Sequence, residues 1–194
     1  MSTSDSTAML ERAFATTRAI LANVTPDQYD QPTTCASWTV RDVVNHVCEG
    51  ANWFAMCVNA GAAPDPDPTH GFDYAAGDVM AAYDEGAAAS VAAFAGAGAQ
   101  EKLIKLPFGE MPGAIFMGIA TNDVFVHGWD LAKSTGQATD IDPEMAGQLL
   151  AQLRMFLGDE MRGPDGEAPF GKALDAPAGA SEADKLAAFL GRTV

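Results

Sequence analysis

Asp123 and His127 stand four residues apart in the stretch TNDVFVHGWDLAKSTGQ (121–137). Four residues are just over one helical turn, so a carboxylate and an imidazole project from one face, one above the other. Phe116, Ala120 and Leu131 share that face, which turns it inward. A carboxylate withdrawn from water costs several kcal/mol unless its charge is matched, and a cation held jointly with a histidine matches it. His46, inside a second apolar helical pattern, offers a third donor. Two imidazoles and one carboxylate suit zinc first, and also nickel, manganese or ferrous iron, with positions left open for water or substrate. The plainer reading stands beside this one: each histidine is a core imidazole with a hydrogen-bonded partner, and Asp123 is buried opposite one of them.

Other titratable residues lie close by. Asp42 precedes His46 by four and Glu49 follows it by three. Either would orient the imidazole, although helix capping and exposure account for them more simply. Asp130, three after His127, either accepts that imidazole's second N–H or pairs with Lys133 on the helix surface. His70 falls in a Pro/Asp loop and reads as solvated. Cys48 is two positions from His46, hence on another face, so a Cys–His dyad is not expected.

The elements that must position these residues are helical. Leu10, Phe14, Thr17, Leu21 and Val24 recur at helical spacing within 5–24, and Thr25-Pro26 ends the pattern. A second helix opens at Thr39 and runs to about Ala60, with Val43, Val47, Gly50, Phe54 and Val58 inward and His46 beside them. The segment GAAPDPDPTHG cannot be helical, because proline lacks the amide donor and restricts its predecessor. A third helix is expected over 74–95, a short extended stretch over 103–108, and a fourth helix from Pro112 to a glycine cap at Gly136. Asp142-Pro143 opens a fifth helix to about Met161, facing Met145, Leu149, Leu153 and Phe156 inward. Residues 163–180 are expected to wrap the surface, and Ser181 and Asp184 cap a short last helix carrying Leu186, Phe189 and Leu190. With no internal repeat and one core, 1–194 reads as a single domain: a four-helix bundle with long crossovers and helical additions.

Composition bounds the function. The chain of 194 residues is nearly half apolar, enough for a substantial core, and its net charge of −15 repels phosphate backbones and anionic membranes. Nucleic-acid binding is therefore disfavoured. No apolar run approaches the roughly 20 residues a bilayer requires, and the first residues lack a secretory pattern, so a cytoplasmic protein is expected. Three cysteines, Cys35, Cys48 and Cys57, without paired metal spacing, read as reduced thiols.

CASWTVRDVVNHV (35–47) and TNDVFVHGWDLAKSTGQ (121–137), joined by LPFGEMPGA (106–114) and followed by DKLAAFLGR (184–192), resemble the actinobacterial metal-binding proteins related to mycothiol-dependent maleylpyruvate isomerase, within the DinB-like superfamily. The resemblance implies an all-α, DinB-like four-helix bundle with additional C-terminal helices. It places the family's first ligand histidine on His46 and its acid-x-x-x-His pair on Asp123 and His127. The isomerase has Glu where this chain has Asp123, and its additional C-terminal domain has no counterpart here, so the metal site carries over better than the reaction. The implied function is a metal-dependent isomerase or S-transferase using mycothiol or another low-molecular-weight thiol, as a possible homodimer. A thiol entering the open position would lose its proton more readily and attack an electrophilic carbon. The alternative is a non-catalytic metal-binding or interaction protein of the same fold.

Overall fold

The computed structural model describes residues 7–164 and 167–194. The expected helix start at residue 5 lies outside the described residues. The chain is mainly helical: α1 Ala8–Leu21, α2 Val40–Ala60, α3 Val79–Ala95, α4 Gly113–Ser134, α5 Pro143–Phe156 and α6 Glu182–Phe189, with one hairpin, β1 Leu103–Leu106 and β2 Gly109–Pro112. It divides into two compact units, one from the chain up to Asn23 with Asp42–His127, the other from Val24–Arg41 with Gly128–Val194.

In the first unit the helical periods bury the residues they predicted, with Leu10, Phe14 and Leu21 of α1, Val43, Val47, Phe54 and Val58 of α2, and Tyr83 and Phe94 of α3 all inside. Phe116 of α4 is fully buried, with the rings of Trp53, Phe54 and Phe94 at 5.7, 5.6 and 5.8 Å between centroids. The first two meet it edge-on, the favoured aromatic arrangement. Two bonds satisfy polar groups inside: Thr17 Oγ1 donates to the Val124 carbonyl at 2.8 Å, and Ser90 Oγ to the Ala51 carbonyl at 2.6 Å. The latter marks a close helix approach. A Cβ built on Gly86 would lie 2.9 Å from the Cβ of Ala51, so only glycine lets α3 come this near to α2.

Local boundaries moved where tertiary bonds intervened. The third helix starts at Val79, because Asp78 caps it by accepting from the Ala81 N–H, and residues 74–76 form a separate single turn. The extended stretch is an antiparallel hairpin pairing Leu103 with Pro112 and Leu106 with Gly109. Pro112 therefore ends a strand rather than opening a helix; α4 begins at Gly113, whose N–H donates to the Lys102 carbonyl at 2.9 Å. No described helix is long and apolar enough to cross a membrane.

In the second unit α4 ends at Ser134, followed by Gly136 at φ +73°, the left-handed conformation glycine takes without strain. Asp142 caps α5 by accepting from the Met145 N–H at 3.1 Å. That helix stops at Phe156, short of Met161, and Phe156 is 74% exposed instead of inward. Periodicity says which residues share a face but not how far the covering element reaches. Trp129 Nε1 donates to Asp184 Oδ1 at 2.9 Å, and the Asp184 N–H donates to Ser181 Oγ at 3.0 Å, so the cap of α6 is tied to α4. Of the two expected roles for Asp130, the surface pair with Lys133 is ruled out by its burial. It is fully buried and accepts from Arg192 Nε at 3.1 Å and Nη2 at 3.0 Å, as well as from the Thr34 hydroxyl.

Two stability changes follow. Gly86→Val should destabilise by about 1–3 kcal/mol through overpacking against Ala51, read as a lower urea midpoint at unchanged slope. Arg192→Ala should cost about 3–5 kcal/mol by leaving the Asp130 charge unmatched, and adding Asp130→Asn should recover part of the loss in the same titration.

Candidate metal centre

Three side chains of the first unit meet. His46 comes from the second turn of α2, and Asp123 and His127 from adjacent turns of α4. Asp123 Oδ1 lies 3.3 Å from His46 Nε2 and 3.6 Å from His127 Nε2. The imidazoles stand edge to face, centroids 4.5 Å apart at 75°. One donor atom from each residue lies within 4.8 Å of the other two. The structure thus brings together all three residues named from the sequence.

The donor set fits a divalent ion. Bonds of about 2.0–2.1 Å at a tetrahedral centre put neighbouring donors roughly 3.3–3.4 Å apart, close to the two separations found here. The same distances also serve a hydrogen-bonded His–Asp–His cluster. Space favours an occupant beside the acid: a Cβ on Gly50 would reach 3.7 Å from Asp123 Oδ2 and 3.6 Å from Phe54, so glycine leaves a methyl-sized gap at the carboxylate. Access is one-sided. The side chains of His46 and Asp123 are 31% and 26% exposed, His127 only 11%, so the site is anchored at His127 and open at His46.

Local sequence explains the placement. Asn45, His46 and Glu49 form the part-exposed stripe of α2, between Val43 and Val44 on one side and Val47, Cys48 and Gly50 on the other, all buried. His46 therefore sits at the edge of the core. His70 is solvated as expected, its ring 83% exposed, but Nδ1 also lies 3.2 Å from Glu49 Oε1, a contact the sequence did not reveal. The spacing of Glu49 from His46 was visible; the loop that returns to it was not. Trp53 packs on Phe116 and Phe54 and has a core role.

Cys48 and Cys57 are free and buried. Burial pushes both thiols up to about 12, with the Asp67 charge adding to the effect at Cys57. Neither is a nucleophile at neutral pH. Both should resist alkylation of the native protein at pH 8 and react in denaturant, as mass spectrometry would show. Because the native thiols stay protonated while unfolded ones ionise near pH 8.5, stability is unaffected by them below that pH and falls as pH rises from about 8.5 towards 12.

Two curated Mycobacterium tuberculosis proteins, from strains CDC 1551 / Oshkosh and ATCC 25618 / H37Rv and both described as uncharacterized, are each 41% identical over 188 residues, covering 95% of this chain and 96% of theirs. No solved structure matches. Residues 10–132, which carry His46, Asp123 and His127, match the family described as the mycothiol maleylpyruvate isomerase N-terminal domain, and the chain belongs to that family.

Proposed function

We propose that this chain binds a divalent metal ion, zinc in the first instance, through His46, Asp123 and His127, and uses the site for thiol chemistry with mycothiol or a related low-molecular-weight thiol. The observation that carries this reading is the convergence of three ligand-type donor atoms within 4.8 Å in a chain of this family. The reaction is an isomerisation or S-transfer at an electrophilic carbon. The shorter Asp123, where the isomerase has Glu, and the family match to an N-terminal domain leave maleylpyruvate itself outside the assignment. In fold terms, α1, α2, α3 and the first turns of α4 are the four helices of a DinB-like bundle, and α5 and α6 are its C-terminal additions. Free cysteines suit a cytoplasmic location.

A bound zinc ion would supply the acidity that makes a coordinated thiol ionise near neutral pH. The protein's residues supply the remainder. His46 and His127 present ring nitrogens from two helices, so their spacing is set by helix packing rather than by the ligand. Asp123 adds the negative charge that favours a cation over an anion there. Phe54, buried beside Gly50, makes the surroundings of Asp123 apolar on that side, which strengthens electrostatic interactions there.

Metal analysis of the purified protein, with loading where necessary, should give one ion per chain. His127→Ala should weaken binding by more than about 100-fold, since even outer partners of a ligand cost roughly 10–100-fold, while circular dichroism stays unchanged. No metal under any loading condition would sink the proposal. Metal binding indifferent to thiols in calorimetry would leave the non-catalytic metal protein as the reading.

A further inference from the structure

We propose that His70, oriented by Glu49, accepts the proton of the thiol that enters the His46–Asp123–His127 site. The inference rests on the metal and thiol reading above and assigns the acid–base partner that reading lacks. A thiol is protonated at neutral pH, so its proton needs an acceptor when sulfur becomes a ligand. His46, Asp123 and His127 are committed as ligands. The chain has three histidines, and His70 is the remaining one.

The structure delivers His70 to the right helix. Asn45 Nδ2 donates to Asp73 Oδ1 at 3.2 Å, and the Ala75 N–H donates to Asn45 Oδ1 at 2.9 Å, fastening the loop to α2 just after His70. Just before it, Asp67 Oδ1 accepts from the Thr69 N–H at 2.8 Å and the Thr69 hydroxyl at 2.7 Å, closing a turn. At its start, the Ala63 N–H donates to the Lys105 carbonyl at 2.8 Å. The loop is therefore held at both ends, and His70 meets Glu49, one turn beyond His46 on the same stripe of α2. Residues so spaced have Cβ atoms about 5–6 Å apart.

The contact defines the chemistry. A carboxylate on Nδ1 keeps the hydrogen there and leaves Nε2 as the acceptor, the orientation a histidine base requires. The ring is 83% exposed, so Nε2 is open to an incoming molecule. In the step, the S–H bond breaks, its electron pair stays on sulfur and the proton passes to Nε2; Glu49 balances the imidazolium. After sulfur attacks an electrophilic double bond, the proton returns from Nε2 to the neighbouring carbon, and no proton is gained or lost overall. Tyr74 of the loop also lies within electrostatic reach of Glu49, and Cys48 and Asp67 lie within reach of Tyr74. The thiol of Cys48 is no substitute base, being pushed up to about 12 by burial.

The test uses the metal-loaded full chain with N-acetylcysteine and mycothiol as probes. Calorimetry at pH 7 in buffers of different ionisation enthalpy counts the protons released on thiol binding. Wild type should release fewer protons per thiol than His70→Gln, with metal content unchanged. Addition of the thiol across the double bond of dimethyl maleate should fall at least about 10-fold in His70→Gln, with Glu49→Gln in between. Equal proton release and equal rates in wild type and His70→Gln would overturn this inference while leaving the metal and thiol reading intact. A wild type that takes up metal but no thiol overturns both.

Discussion

Two carboxylates on one helix set the terms for this protein. Asp123 and Asp130 lie on α4 seven residues apart, and neither stands free in water: Asp130 is fully buried and Asp123 only a quarter exposed. Charge in such places is tolerated only when opposed or hydrogen-bonded. Each unit answers one of them differently. The second unit spends a guanidinium on Asp130, with Arg192 bonding both oxygens. The first brings two imidazoles to Asp123, rings whose charge depends on protonation and whose nitrogens are of a metal-ligating type. A guanidinium closes a site permanently. Two imidazoles leave it able to take a cation.

This contrast gives the two acids different parts. The Asp130–Arg192 pair is a fixed structural bond that ties the residues after α6 back to α4, and losing either partner strands a charge. The Asp123 cluster sits at the margin of a packed aromatic core, with Phe54 near Gly50 and Phe116 two turns before Asp123 in α4. Rigid packing on one side and exposure on the other are what a ligand site needs: donor positions that do not drift, and a route for a small molecule.

The three histidines have distinct environments in the first unit. His127 is nearly enclosed, His46 lies at the core edge, and His70 stands out on a loop against Glu49. Their exposure rises from anchor to margin to surface, matching the order in which buried ligand, open-sided ligand and proton carrier would be required. The thiols show the reverse pattern, since Cys48 and Cys57 are placed where burial keeps them protonated. The proposed chemistry therefore brings its sulfur from outside.

By itself the sequence determined the helices and the three candidate ligands, because both are governed by short-range periodicity. Apolar residues at steps of three and four predicted the inward faces of α1 and α2, Asp142-Pro143 and Ser181 marked helix starts, and the spacing of Asp123 and His127 placed two donors on one face. Tertiary structure decided what spacing cannot encode. Arg192 reaches Asp130 across 62 residues, a pairing with no local signal that displaced the nearer Lys133. The return of His70 to Glu49 depends on Asn45 holding a loop whose prolines only said it was not helical. Pro112 and Phe156 were misplaced for the same reason: a strand partner and a helix's covering neighbour are supplied by distant chain, and their energies enter only when the chain has folded.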